Sequence, residues 1–257
     1  MQTAMIGVII PFLGTTLGAA LVFFLKDKLH PLVEKSFLGF AAGVMIAASV
    51  WSLILPAMEL TSHSLKWFPA AIGFLLGIFF LLALDQFVPH IHLNQEEPEG
   101  IHMQLKKTTM LILAVTMHNI PEGMAVGIVF AGMLAEGNAI SLSAALSLSV
   151  GIAIQNFPEG AVISMPLHSY GMKKKRAFLF GTLSGIVEPI AAIVTILLSQ
   201  WILPALPYLM AFAAGAMFYV VIEELIPEAQ EGSHTNVSTI AAALGFVLMM
   251  ILDCALG

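Results

Sequence analysis

The sequence is poor in charge and in cysteine. Of its 257 residues only 10% are charged, whereas 59% are hydrophobic, and the mean hydropathy is +0.95. Soluble domains carry about 25% charged residues, so the composition excludes an ordinary soluble domain. The single cysteine, Cys254, excludes an internal disulfide and a cysteine-rich metal site. The chain also lacks a basic stripe, so a nucleic-acid partner is not expected.

Two further absences narrow the class of membrane protein. Segments of about ten residues with alternating polarity, which transmembrane β-barrels require, are missing. The N-terminal MQTAM has no basic residue, so a cleaved signal peptide is not expected. Apolar runs of about 20 residues, the length that crosses a bilayer as a helix, recur instead. We predict an all-α polytopic membrane protein, a single domain over 1–257, with eight spans near 5–25, 37–58, 68–88, 108–133, 140–167, 177–199, 205–227 and 238–256.

The basic residues predict the orientation of these spans. With eight crossings, the odd-numbered loops share one side of the membrane, and the only basic residue on the other side is Lys66. Basic residues in short loops stay on the cytoplasmic side. Both termini are therefore predicted to face the periplasm or the exterior. The nine basic residues on the cytoplasmic side are Lys26, Lys28, Lys35, Lys106, Lys107, Lys173, Lys174, Lys175 and Arg176.

Two short motifs indicate an internal repeat. FAAGVM at 40–45 returns as FAAGAM at 212–217, and IGF at 72–74 returns as LGF at 244–246, both after 172 residues. The shared offset predicts that residues 5–88 and 177–256 are copies of opposite orientation, on either side of a central helix pair at 108–167. Inverted repeats are typical of secondary transporters, whose sites lie near the bilayer midplane. The remaining segment, 89–107, is predicted to be a metal-binding cytoplasmic loop.

The central pair carries polar residues in the middle of apolar sequence. Span four contains HNIPEG, from His118 to Gly123, and span five contains QNFPEG, from Gln155 to Gly160. Because residues three and four apart share a helix face, each motif gathers its polar side chains on one side. The prolines cannot donate a backbone hydrogen bond, so each frees a carbonyl at membrane depth. Span six adds Glu188.

The three intramembrane glutamates, Glu122, Glu159 and Glu188, have no lysine or arginine in their spans to offset them. An ionised acid at the bilayer centre costs about 3 kcal/mol on insertion scales. A divalent cation would offset that cost, and imidazole, carboxylate and amide oxygens suit zinc, iron, manganese and cadmium. Taken singly, each glutamate could instead be a neutral, hydrogen-bonded group. Two other functions stay open: a proton-coupled transporter of a non-metal substrate, and an intramembrane zinc hydrolase, although H-E-x-x-H is missing.

The two PEG motifs resemble the ZIP (Zrt/Irt-like) family of divalent metal transporters, in particular its prokaryotic GufA-like branch with a glutamine at the position of Gln155. The resemblance extends over all eight spans. It implies import of metal through a binuclear site, no enzymatic activity and no organic cofactor. It also implies a homodimer in the cell inner membrane, and an elevator motion in which spans one, four, five and six move past two, three, seven and eight.

The resemblance further implies two ligand sets that share Glu122 and Glu159. The first set adds His118, Gln155 and Met45, and the second adds Asn119, Asn156 and Glu188. Acidic residues and histidines near the cytoplasmic side are interpreted as an exit route: Asp85, His90, His92, Glu223 and Glu224, with His102 and Glu228 as weaker candidates. Four further histidines, His30, His63, His168 and His234, are predicted to lie at the surface.

Overall fold

The computed structural model describes residues 2–24, 29–62, 64–88, 107–135, 137 and 139–256. Within these ranges the chain is all-helical, without a strand, and forms eight long rods. We label them α1 (Gln2–Phe24), α2 (Pro31–Glu59), α3 (Trp67–Phe87), α4 (Lys107–Leu134), α5 (Leu142–Ser169), α6 (Lys174–Leu197), α7 (Ser199–Gln230) and α8 (Val237–Leu256).

Six of these rods are long and apolar enough to cross a membrane on length and composition alone, among the described residues: α1, α2, α3, α6, α7 and α8. The other two, α4 and α5, are the longest uninterrupted helices at 28 residues each, and they carry the two polar motifs. An all-α polytopic membrane protein is thus confirmed. The ends of all eight rods lie within about six residues of the predicted bounds.

Four of the rods are interrupted. In α1 the helix Gln2–Ala19 is followed by Leu21–Phe24, and in α6 Lys174–Ser184 is followed by Val187–Leu197. Near its middle α2 passes from Pro31–Ala48 through a π-helical stretch, Ser49–Ile54, to Leu55–Glu59. The longest, α7, contains Ser199–Ile202, a 3₁₀ turn at Leu203–Ala205, Leu206–Val220, a π-helical stretch at Val221–Leu225, and Ile226–Gln230. By contrast α4 and α5 run without interruption through Pro121 and Pro158.

The rods pack most extensively in four pairs: α1 with α5, α4 with α6, α2 with α8, and α3 with α7. In the predicted repeat, α1, α2 and α3 correspond to α6, α7 and α8, and α4 corresponds to α5. Exchanging corresponding helices turns the pair α1–α5 into α6–α4 and the pair α2–α8 into α7–α3, so the set of pairs stays the same. The two π-helical stretches also begin 172 residues apart, at Ser49 and Val221. This is the arrangement expected of inverted repeats.

Glycines of the repeated motifs lie where paired backbones touch. A Cβ on Gly43 would come within 1.9 Å of the carbonyl oxygen of Ala242, and one on Gly215 within 2.0 Å of that of Phe74. Gly245 approaches the Phe40 carbonyl oxygen in the same way. FAAG of α2 therefore packs against LGF of α8, and FAAG of α7 against IGF of α3. The motifs repeat because both contacts need a residue without a side chain.

Candidate functional site

The two motif helices are fixed against their neighbours at the PEG glycines. On Gly123 of α4, a Cβ would come within 2.3 Å of the Glu188 carbonyl oxygen of α6. On Gly160 of α5, it would come within 2.1 Å of the Thr15 carbonyl oxygen of α1. Each PEG glutamate therefore lies next to a helix crossing at which no side chain can intervene. The crossings bring residues of α1, α4, α5 and α6 into one polar centre.

A direct hydrogen bond joins the two motifs. The Gln155 side chain donates from Nε2 to Oε1 of Glu122 over 2.6 Å, and both residues are buried. The histidine position of one motif thus contacts the glutamate of the other. Placement of the motifs on facing helices, which their repetition predicted, brings Glu122 and Gln155 together in the interior.

A second hydrogen-bonded group surrounds Glu188 of α6. Asn156 donates from Nδ2 to Oε2 of Glu188 over 2.7 Å, and Thr15 donates from Oγ1 to Oε1 over 3.3 Å. The Nδ2 atom of Asn156 also approaches the carbonyl oxygen of Pro11 at 3.4 Å. Nearby, Asn119 donates from Nδ2 to the carbonyl oxygen of Ser184 over 3.2 Å. The amide nitrogens of both motif asparagines therefore point at acceptors of other helices or side chains.

The oxygens left over at this centre are acceptors without donors. Four oxygens of the two motifs are buried and have no hydrogen-bond partner within the described part of the chain: Oε2 of Glu122, Oε1 of Gln155, Oδ1 of Asn119 and Oδ1 of Asn156. A buried polar atom without a partner costs about 1–3 kcal/mol, and native interiors contain few of them. A bound cation would satisfy all four of these acceptor oxygens.

The remaining motif residues reach toward α7. The Nε2 atom of His118 contacts Oε1 of Glu224, and both side chains are buried. Glu159 is half-buried one turn after Gln155. Its carboxylate is near enough to those of Glu122, Glu188 and Glu224 to repel them when all are ionised. The predicted exit residue Glu224 therefore lies beside the motif centre itself.

Two members of the first predicted ligand set have neighbours outside the two motifs. His118 contacts Glu224. Met45 of α2 is fully buried in the apolar core and lies one helical turn before the π-helical stretch. Within the described ranges, no three histidine, cysteine, aspartate or glutamate side chains are grouped so that they could hold an ion by themselves. Amide oxygens therefore have to complete any coordination at the motif centre.

The other predicted exit residues lie on α3 and α7. Tyr219 donates its hydroxyl to Oδ2 of Asp85 over 3.0 Å, which joins the two helices. Glu223 is exposed, and Glu228 is half-buried. The predicted loop ligands His90, His92 and His102 lie outside the described residues, as does all of the loop 89–107 except its last residue, which begins α4.

Of the histidines predicted at the surface, His30 and His234 are exposed. His30 caps α2, because its Nδ1 accepts from the Leu32 amide. His168 is half-buried and hydrogen-bonds the Met172 carbonyl oxygen through Nδ1 over 2.8 Å. His63 lies outside the described residues.

Sequence reasoning missed Thr15, Ser184 and Tyr219. Thr15 and Ser184 are fully buried and contact Glu188 and Asn119, and Tyr219 contacts Asp85. One signal was available for Thr15: the pair Thr15–Thr16 is the polar interruption of an otherwise apolar first span. Nothing in the sequence marks Ser184, because its contact is made by the backbone carbonyl.

Known proteins resemble this chain along nearly its whole length. The sequence model of the family described as ZIP Zinc transporter matches residues 92–253. Zinc transporter ZIP11 of Homo sapiens is 35% identical over 99% of this chain and 97% of its own length. Zinc transporter ZIPB of Bordetella bronchiseptica is 37% identical over 99% of this chain and 81% of its own, and zinc transporter GufA of Myxococcus xanthus is 34% identical over 95% and 96%. The chain belongs to the ZIP family of metal transporters and is not an enzyme.

Proposed function

We propose that this protein imports a divalent transition metal, zinc foremost, into the cytoplasm through a site at the motif centre. The observation that carries the proposal is the set of four buried acceptor oxygens without donors, contributed by Glu122, Gln155, Asn119 and Asn156. Neutral hydrogen-bond donors such as water could satisfy these oxygens but would leave the charge of the carboxylates without compensation. A divalent cation satisfies all of them and offsets the carboxylates at the same time.

The charge at the site favours a divalent ion over a neutral substrate. Glu122 and Glu188 are each about 1% exposed, and no lysine or arginine lies in the predicted spans 108–133, 140–167 and 177–199 that carry the three glutamates. Three ionised glutamates at the bilayer centre would cost roughly 9 kcal/mol without compensation. One divalent ion offsets two of the charges, and two ions offset all three, which supports a binuclear site with Glu122 and Glu159 as bridges.

Ligand chemistry gives the metals that the site would accept. Imidazole, carboxylate and amide oxygens suit zinc, iron and manganese, and a thioether adds affinity for softer ions such as cadmium. We propose that His118, Glu122, Gln155, Glu159 and Met45 form the first site. The second would consist of Asn119, Glu122, Asn156, Glu159 and Glu188.

Binding of metal at the first site requires His118 to leave Glu224. Because Glu223 and Glu224 lie toward the predicted cytoplasmic end of α7, we propose that Glu224 takes over the ion from His118. The exit would continue past Asp85 toward His90 and His92 of the loop. The contact between His118 and Glu224 supports this order, since it already joins the motif to the exit.

The helix pairing supports an elevator. Two of the pairs, α1–α5 and α4–α6, contain every helix of the motif centre, and the other two, α2–α8 and α3–α7, flank it. We propose that the first two pairs move as a unit against the second two. We further propose a homodimer in the cell inner membrane with both termini outside, on the charge pattern of the loops.

Removal of a bridging carboxylate tests the proposal. Glu122→Ala and Glu159→Ala are each expected to abolish zinc uptake into proteoliposomes, because each removes a ligand of both ions. Glu231→Ala, an exposed acid in the loop after α7, is the matched control and should transport like the wild type. Insertion is checked by size-exclusion chromatography of each variant. Normal uptake in both motif variants would contradict the proposal.

A further inference from the structure

The carboxylate of Glu188 is held at both oxygens by neutral donors from two different helices. Asn156 of α5 donates to Oε2 over 2.7 Å, and Thr15 of α1 donates to Oε1 over 3.3 Å. The carboxylate of Glu122 differs, because Gln155 donates to Oε1 while Oε2 has no partner. Asn156 belongs to the motif centre, whereas Thr15 belongs to no motif and carries no charge.

The position of Thr15 is fixed by close packing. It is fully buried. A Cβ on Gly160 would come within 2.1 Å of its carbonyl oxygen, so the backbones of α1 and α5 touch at this residue. A Cβ on Gly185 would come within 2.9 Å of its Oγ1. Gly185 therefore leaves the space that the hydroxyl occupies, one turn before Glu188.

Thr15 and Glu188 occupy corresponding places at the two PEG motifs. The glycine of the second motif, Gly160, lies against the Thr15 carbonyl oxygen, and the glycine of the first, Gly123, lies against the Glu188 carbonyl oxygen. The two residues are 173 positions apart, close to the offset of the repeated motifs. One copy thus contributes a carboxylate at this place, and the other contributes the hydroxyl that binds it.

We infer that Thr15 is a positioning residue for metal binding, which orients Glu188 toward the second ion by donating to Oε1. The inference rests on the proposed function. The Thr15 hydroxyl occupies one lone pair of the carboxylate and sets the direction of the others. Outer hydrogen-bond partners of ligands typically contribute 10- to 100-fold to metal affinity. Loss of the hydroxyl is expected to weaken zinc binding through Glu188 by about tenfold.

Binding of zinc to the purified protein, measured by equilibrium dialysis, tests this role. Thr15→Val keeps the shape of the side chain and removes the donor, so one of the bound zinc ions, the one held through Glu188, should bind about tenfold less tightly. Thr15→Ser keeps the donor and should bind like the wild type. The matched control is Thr16→Val, because the Thr16 hydroxyl donates to the Phe12 carbonyl oxygen of its own helix over 2.9 Å; it should leave the affinity unchanged.

A double variant separates positioning from a general loss of structure. If Thr15 acts through Glu188, then Thr15→Val adds nothing in the Glu188→Gln background. Unchanged affinity in Thr15→Val, or a further loss in the double variant, would overturn the inference while wild-type binding left the proposed function standing. Wild-type protein that binds no zinc would overturn the proposed function, and the positioning role with it.

Discussion

The buried carboxylates of Glu122 and Glu188 accept hydrogen bonds from neutral side chains of other helices: Gln155 donates to Glu122, and Asn156 and Thr15 donate to Glu188. A glutamate within an apolar run is conspicuous because its burial is costly, so Glu122, Glu159 and Glu188 could be found without a structure. Thr15 was missed because a threonine in an apolar helix ordinarily bonds a carbonyl of its own preceding turn, as Thr16 does. Only the crossing of α1 with α6 distinguishes the two.

The contact between His118 and Glu224 predicts energetic coupling. Removing one member of a buried pair leaves the other without its partner, which destabilises a protein by about 3–5 kcal/mol. His118→Ala and Glu224→Ala are therefore each expected to lower the thermal stability of the metal-free protein. The double variant should lose less than the sum, with a coupling of about 1 kcal/mol or more. Strictly additive losses in a thermal unfolding series would contradict the contact.

At the scale of elements, hydrophobic length predicted the helices well. Each rod ends close to its predicted bound because the bilayer sets the length of the apolar run. The interruptions were not predicted. Pro121 and Pro158, which the sequence marks as helix breakers, lie within uninterrupted helices, since neighbouring helices can accommodate such residues in a membrane. The π-helical stretches of α2 and α7 each end two residues before a proline, Pro56 and Pro227, which cannot donate a backbone hydrogen bond to the preceding turn.

Glycine contacts between the rods give a prediction for α8. A Cβ on Gly245 would come within 2.2 Å of the Phe40 carbonyl oxygen, so Gly245→Val should force α8 away from α2. Overpacking of this kind typically costs about 1–3 kcal/mol. We expect a clear fall in the melting temperature of the detergent-solubilised protein. Ala243→Val, on the exposed face of the same helix, is the control, and an equal fall in both variants would be evidence against the contact.

The whole molecule combines the helix pairs into an arrangement that the sequence indicated only through its repeats. Within each pair, residues later in one helix contact residues later in the other. Gly14 of α1 meets Ala153 of α5, and Gly18 meets Phe157. Paired rods therefore run parallel. Every pair joins two odd-numbered or two even-numbered helices, as it must if each rod crosses the membrane in turn. The offset of the motifs predicted the copies, but which helices touch depends on side-chain volumes along every span.

The single cysteine offers a test of the orientation. Cys254 is exposed near the end of α8, and the loop charges predict that this end faces outward. A membrane-impermeant maleimide should therefore label the wild type in intact cells. A Cys254→Ser/Lys175→Cys variant, with its thiol in the basic first turn of α6, should be labelled only after the membrane is permeabilised. The reverse pattern would show the opposite orientation.

The polar motifs within the two apolar helices α4 and α5 have a consequence for biosynthesis. Glu122 and Glu159 lie near the middle of α4 and α5, between apolar residues on both sides. A central acid opposes partitioning by about 3 kcal/mol. Since few residues connect α4 to α5, and Gln155 bonds Glu122, the two helices would partition together as a hairpin. The motif residues that form the polar centre thus make the insertion of each of these two helices depend on the other.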